Sequence, residues 1–394
     1  MTARSVEVRT GLECLIGGVG DELLDARLGL ILHPASVTSE LVPSVDALLG
    51  SGFRVKALFG PQHGARGEKQ DNMIESAHYT DPATGLPVHS LYGDVRKPTP
   101  EMLDGLDALL FDLQDVGVRV YTFVWTMLLA MEACAEAGIP FVVLDRPNPI
   151  GGRIREGPVL REGFESFVGL HPVPLRHGLT CGELARWLND RRGIRCELEV
   201  VSCEGWTRDM RWEDTGLPWV LPSPNLPTPA SCGVYPGMVL LEGTNLSEGR
   251  GTTKPFELFG APWLDGRALI HRVGEDLGDG AVLRPCAFEP TFQKHAGRMC
   301  HGAQIHVTDP RRFRPVRAAV AILEACWTLA PEDFAWRPPP YEYEETLLPI
   351  DILWGGEGLR TALDAGAPVD TILSEAAEGM TAFRESVAPY LLYD

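Results

Sequence analysis

Through the first half of the chain, short apolar runs alternate with helix-length segments, and few folds accept that alternation. Leu28–Leu32, Val55–Phe59, Ala108–Leu113, Pro140–Leu144 and Leu198–Val201 read as strands, and Ser44–Gly50, Pro100–Leu106, Phe123–Gly138 and Cys181–Asp190 as the helices between them. Strands that return to one sheet through helices form βαβ units, so the pattern specifies an α/β fold with a Rossmann-like parallel sheet. Beyond about residue 225 the texture changes. A Pro-rich turn at Ser223–Thr228 is followed by irregular strand signals within Cys286–Asp309, an amphipathic helix at Pro315–Leu329 and a Pro-rich break at Arg337–Pro340. A chain of 394 residues exceeds the usual single core. The expected division is a Rossmann-like domain over 1–240 and a smaller C-terminal α+β domain over 241–394.

The segments leaving the strands carry the functional signal. These exits read HPASVT (33–38), GPQHGARG (60–67), QDVGVRVYT (114–122) and DRPNPIGG (145–152). Open α/β sheets bind ligands outside the carboxyl ends of their strands. His33, Gln62, His63, Asp115, Arg119, Asp145, Arg146 and Asn148 are therefore expected along one edge. No GxGxxG follows the first strand, since Gly17, Gly18 and Gly20 precede it, and Walker A, HExxH, GxSxG and zinc-deaminase signatures are missing. No cofactor and no resident metal are expected.

The densest polar stretch is LEGTNLSEGRGTTKPF, residues 241–256. Glu242, Glu248, Arg250, Lys254 and Asn245 share it with three glycines, which let a ligand approach the main chain. That composition suits a polyhydroxylated, negatively charged ligand; the competing reading is a turn-rich connection with solvated ions. Glycoside cleavage needs a carboxylic acid to protonate the leaving oxygen. Glu248, Glu242, Glu68, Glu75 and Asp115 stand in polar, Gly-rich contexts, with Glu248 the first choice. Arg119 and Arg250 are the candidates for a substrate carboxylate, because guanidinium grips carboxylates in a fork; an internal pair with Asp115 or Glu248 is their other reading. His63 is placed as an acid–base or orienting group. His177 precedes a helix for which Thr180 is the expected N-cap. Tyr121, Trp125, Trp206, Trp212 and Trp219 are either stacking faces for a sugar or core residues. A metal site from His33, His63, Asp112 and Asp115 is the third functional alternative, although paired ligand spacing is missing.

Composition narrows the partners. A net charge of −19 sets the chain against nucleic acid and anionic membranes, while a few arginines still suffice for a small anion. Nine scattered cysteines include no CxxC, so neither a disulfide framework nor a zinc knuckle is indicated. The N-terminal sequence lacks a basic start followed by a long apolar core, and no apolar run is long enough to span a bilayer. These features lead us to expect a reduced, cytoplasmic protein.

FGPQHGARG, TGLPVHSLYG, FDLQDVGVRVYTF, VLDRPNPIGG, EGPVL, SFVG, RHGLTCGELA, TGLPWVLPSPNLPT and LLEGTNLSEGRGTTKPFELFGAPW together resemble the exo-acting β-N-acetylmuramidases, from about residue 28 to past residue 308. The resemblance implies a Rossmann-like domain plus a smaller C-terminal domain with the active site in the cleft between them. It also implies removal of N-acetylmuramic acid from the non-reducing ends of peptidoglycan fragments. In that family the motif after the second strand is usually GPEHG, its glutamate being the favoured catalytic acid; here the position is Gln62. An amide holds hydroxyl or acetamido groups but does not protonate a leaving oxygen. Either Glu68, Glu75 or Glu248 takes the role, or the reaction differs, or the protein binds cell-wall sugars without cleaving them. On this reading Gln62, His63, Tyr121, Asn225, Glu242, Asn245 and Lys254 contact the sugar, Arg119 and Arg250 its lactyl carboxylate, and the substrate's own acetamido group assists at the anomeric carbon.

Overall fold

The structure is a computed structural model and describes residues 8–67 and 77–394; Glu68 and Glu75 lie outside the described residues. The N-terminal part is a seven-stranded sheet in the order β3-β4-β2-β1-β5-β6-β9. Its strands are β1 (Arg27–Leu32), β2 (Arg54–Gly60), β3 (Tyr79–Thr80), β4 (Pro87–Ser90), β5 (Ala108–Asp112), β6 (Phe141–Leu144) and β9 (Leu198–Val201). All neighbours run parallel except β3, which is antiparallel to β4 at one edge. β7 (Glu156–Val159) and β8 (Pro174–Arg176) form a separate antiparallel pair. All five strands expected from the sequence form, each within two residues of its expected bounds.

Period-2 geometry explains why these strands are apolar at almost every position. Ile31, Phe59, Phe111 and Val143 point to one face and join the main core. Their neighbours Leu30, Leu58, Leu110 and Val142 point to the other face and join a second one. Both faces are covered, as a parallel sheet requires. The helix Phe123–Ala137 lies on the main-core side and stops at Gly138, whose φ of 69° supplies the left-handed cap. The helix expected over Pro100–Leu106 ends already at Leu103, because the chain turns through Gly105 at φ 73°. Thr180 caps Cys181–Arg191 as expected, in a reciprocal capping box with Glu183.

The C-terminal part is a smaller α+β unit. β10 (Leu258–Ala261), β11 (Ala281–Phe288) and β12 (Cys300–Val307) make an antiparallel sheet in the order β10-β12-β11. The irregular strands expected in Cys286–Asp309 thus belong to a regular long hairpin. The helix Pro229–Met238 was not evident in the sequence, where Pro236 and two glycines obscure it. It packs on Pro315–Leu329 closely enough that a Cβ at Gly237 would lie 1.9 Å from the Pro315 carbonyl oxygen. The main core runs without a break from Ile31 to Val387, through both parts.

Candidate functional site

Because β2 and β5 are parallel and flank β1, their exits open on the same edge of the sheet. Gln62 and His63 come directly after β2; Val120, Tyr121 and Thr122 lie beyond β5. The C-terminal part closes over them with Tyr235, Glu242, Arg250, Phe256, Tyr341 and Glu342, forming one small chamber. Its free room is ≈ 30 Å³, enough to hold water. Gln62 is held at both ends of its amide. Thr122 donates its hydroxyl to Oε1 at 2.6 Å, and Nε2 donates to the Tyr92 hydroxyl at 3.0 Å. Tyr92 in turn donates to Glu342 Oε2 at 2.9 Å. His63 sits at φ 72°, an uncommon conformation for a side chain with a Cβ, which is how the tight exit brings it to the wall. Behind it His33 is buried, and burial followed by the neighbouring His63 pushes its pKa down to about 3.

The 241–256 stretch is an ion network rather than a solvent loop. Arg250 donates Nη2 to Glu242 at 2.7 Å and places Nε 3.4 Å from Glu248. Lys294 reaches the other oxygen of Glu248 at 2.8 Å and also donates to the carbonyls of Leu241, Thr244 and Leu246. Tyr341 donates to Glu242 at 2.9 Å, and the Arg250 guanidinium lies over the Phe256 ring. Two carboxylates and two cations cancel. Burial alone would raise the Glu248 carboxyl, but Lys294 and Arg250 outweigh it and hold the group below its ordinary range. Gly249, at φ 79°, lets this loop pass Leu258, whose carbonyl oxygen would lie 2.5 Å from an added Cβ.

Of the residues expected to form a site, the structure brings Gln62, His63, Tyr121, Glu242 and Arg250 to one cavity wall. Glu248 is not suited to the acid role expected of it, because two cations keep it ionised. Arg119 does not face the cavity. Its fully buried guanidinium donates to the carbonyls of Pro158, Val173 and Leu353, and burial lowers its pKa to about 9. Asp115 accepts from the Gly117 amide and lies 3.4 Å from His177, so it organises its own loop. Asn245 bonds Asp333 and Ala335, and Lys254 pairs with Glu257; neither reaches the chamber. Asn225 is buried in the Pro-rich turn, whose Ser223 and Leu226 line the wall in its place. The β6 exit is likewise spent internally. Arg146 makes a bidentate pair with Asp112, and Asn148 donates to Leu179. Asp145 accepts from Tyr393, Gly182 and Thr180, yet burial still raises it to about 6. With Asp112 and Asp115 so engaged, the four-residue metal alternative is not assembled. Among the described residues no three His, Cys, Asp or Glu side chains cluster as metal ligands, and no helix is long and apolar enough to cross a membrane.

Sequence reasoning missed Tyr92, Thr122, Tyr235, Phe256, Lys294, Tyr341 and Glu342. Tyr92, Thr122 and Phe256 stood inside motifs already singled out, SLYG, VYT and KPF. Tyr341 and Glu342 belong to YEYEE, which comes after the Pro-rich break and carries no glycine to mark its turn.

Two family models divide the chain: the N-terminal region of the exo-β-N-acetylmuramidase NamZ matches residues 28–230, and its C-terminal region matches 233–393. The peptidoglycan β-N-acetylmuramidase NamZ of Bacillus subtilis (strain 168) is 46% identical over 393 residues, covering 100% of this chain and 93% of that protein. The crystal structure of a DUF1343 family protein from Bacteroides fragilis NCTC 9343 superposes with a TM-score of 0.89 at 34% identity, covering 99% of this chain and 100% of that one. A second DUF1343 family protein from the same strain gives 0.77 at 29% identity, covering 98% and 99%.

Proposed function

The chain belongs to the exo-β-N-acetylmuramidase NamZ family, and from that premise we propose that it hydrolyses the β-glycosidic bond of a terminal N-acetylmuramic acid on peptidoglycan-derived fragments. One observation at the site carries this reading. A chamber between the two parts of the chain places the Arg250 guanidinium among amide, phenol and hydroxyl groups. Arg250 spends Nε and one Nη on Glu248 and Glu242, which leaves its other Nη for the lactyl carboxylate. Gln62, His63 and Ser223 bind hydroxyl and acetamido groups, and Tyr121 and Tyr235 supply the ring faces.

The decisive measurement is release of free N-acetylmuramic acid from the disaccharide MurNAc-β-1,4-GlcNAc by purified protein. Turnover is expected, with GlcNAc-terminated fragments left intact; folded protein that releases nothing overturns the reading. We place the reaction in the cytoplasm, on fragments rather than intact wall. Support comes from nine cysteines that are all free thiols, eight of them buried. Activity recovered outside the cell membrane on fractionation would refute that placement.

A further inference from the structure

A second cavity abuts the chamber. It is an open groove of ≈ 480 Å³ lined by Gly93, Asp94, Arg96, Ser166, Phe167 and the turn Glu342–Glu344. Arg96 lies over the rings of Tyr92 and Tyr343 at 4.3 and 4.4 Å, giving the groove a polar, cation-bearing floor. Among the described residues, Glu342 is the one that lines both spaces. An exo-acting hydrolase must hold the terminal sugar on one side of the scissile oxygen and the rest of the glycan on the other, so the proton donor belongs at the junction.

The backbone is built to put a carboxyl there. Tyr341 and Glu344 exchange both backbone hydrogen bonds at 2.9 Å, closing a two-residue turn. Its central residues, Glu342 and Tyr343, sit at φ 47° and 68°. Turns of this kind normally take Asn-Gly or Asp-Gly. A Glu-Tyr pair in that conformation is strained, and such strain persists where a side chain has to be aimed. Among the described residues, Glu242, Glu344 and Asp94 are the other carboxylates that line the two cavities. Glu242 is paired with Arg250, Glu344 accepts from the amides of Thr346 and Leu347, and Asp94 is exposed.

We infer that Glu342 is the general acid, with the departing part of the glycan in the outer groove and Tyr92, fixed by Gln62, as its positioning residue. The assignment rests on the muramidase reading above. Glu342 gives its proton to the bridging oxygen as the C1–O bond breaks and its electron pair leaves with that oxygen. A water oxygen then bonds to C1, and the proton it sheds restores the Glu342 carboxyl. Position 62, a glutamate in the family's usual pattern, is here one hydroxyl away from the carboxyl that replaces it.

The test is Glu342→Gln assayed on two substrates. On MurNAc-β-1,4-GlcNAc, whose leaving group needs a proton, kcat/KM is expected to fall about 1000-fold. On 2,4-dinitrophenyl β-MurNAc, whose leaving group departs unprotonated, the fall should stay below about 10-fold, and the alkaline limb of the pH profile should vanish. Should that variant fail to fold, Glu342→Asp carries the same comparison with the carboxyl withdrawn by one methylene. Active wild type with equal losses on both substrates, or none on the disaccharide, overturns the role of Glu342 alone. Folded wild type inert on both substrates overturns the muramidase reading, and this assignment with it.

Discussion

The stretch 241–256 and the turn 341–344 supply opposite walls of the same chamber, and they handle charge in opposite ways. In the first, Glu242 and Glu248 are paired with Arg250 and, from outside the stretch, with Lys294, and one Nη of Arg250 is left over. In the second, Glu342 is held on strained backbone at a cavity mouth and accepts from the Tyr92 phenol. Buried charges that are fully paired fix a structure, while strain of about 1–3 kcal/mol per residue is retained where geometry has to be imposed. Density of charge along a sequence therefore marked the scaffold, and an inconspicuous glutamate marked the throat.

The sharpest way to break that contrast is Glu248→Gln. It leaves the part-buried Lys294 against an amide, though still bonded to three carbonyls, so the loss of stability in urea unfolding should approach but not exceed about 3–5 kcal/mol. The alkaline limb of the pH–rate profile should remain, because Glu248 is already ionised at neutral pH. A lost limb with little lost stability would return Glu248 to the acid role expected from the sequence.

The wall behind His63 extends the comparison to a group with no countercharge. His33 Nε2 has no hydrogen-bond partner among the described residues, and its folded pKa of about 3 lies below the ordinary 6.5. As pH falls, the unfolded chain takes up a proton first, so stability is complete above about 6.5 and drains away towards 3. At pH 4.5 the loss from this residue is about 2–3 kcal/mol. His33→Gln should flatten the stability curve between pH 7 and 4.5. A variant that falls as steeply as wild type would show that His33 is protonated without cost.

Much of the fold was legible because sheet and helix periods are local properties. Ile31 and Leu30 announce opposite faces of β1 by alternation alone, and Thr180 with Glu183 announces a helix start. The site was legible only in part. Gln62, His63 and Arg250 stood in motifs rich in turn chemistry, and the topology of the sheet brought them together. Arg119 and Arg146 stood in equally suggestive motifs but are consumed by carbonyls and by Asp112, which nothing in their immediate sequence reveals. Glu342 contacts Tyr92 across 250 positions, and no spacing rule reaches that far. Its turn also uses Glu-Tyr where Asn-Gly would have flagged it.

Tyr92→Phe tests the orienting side of the contrast. Removing the hydroxyl deletes the bond to Glu342 and leaves the Gln62 amide unsatisfied, so kcat/KM on the disaccharide should fall about 10-fold. The aryl glycoside should be nearly unaffected. Equal losses on the two substrates would make Tyr92 a packing residue only.

Gln62→Glu should have the smallest effect and separates two views of the same motif. If position 62 needs an acid, restoring the family's usual glutamate should raise activity severalfold. If Glu342 is the acid, the new carboxylate competes for the single Tyr92 proton and adds a like charge one hydroxyl away. Like charges raise the pKa of a pair, so the alkaline limb should move up while the maximal rate stays flat or falls slightly. The shift should shrink in high salt only weakly, because the pair is buried. A rise in maximal rate with no movement of the limb would transfer the proton-donor role from the strained turn to the β2 exit.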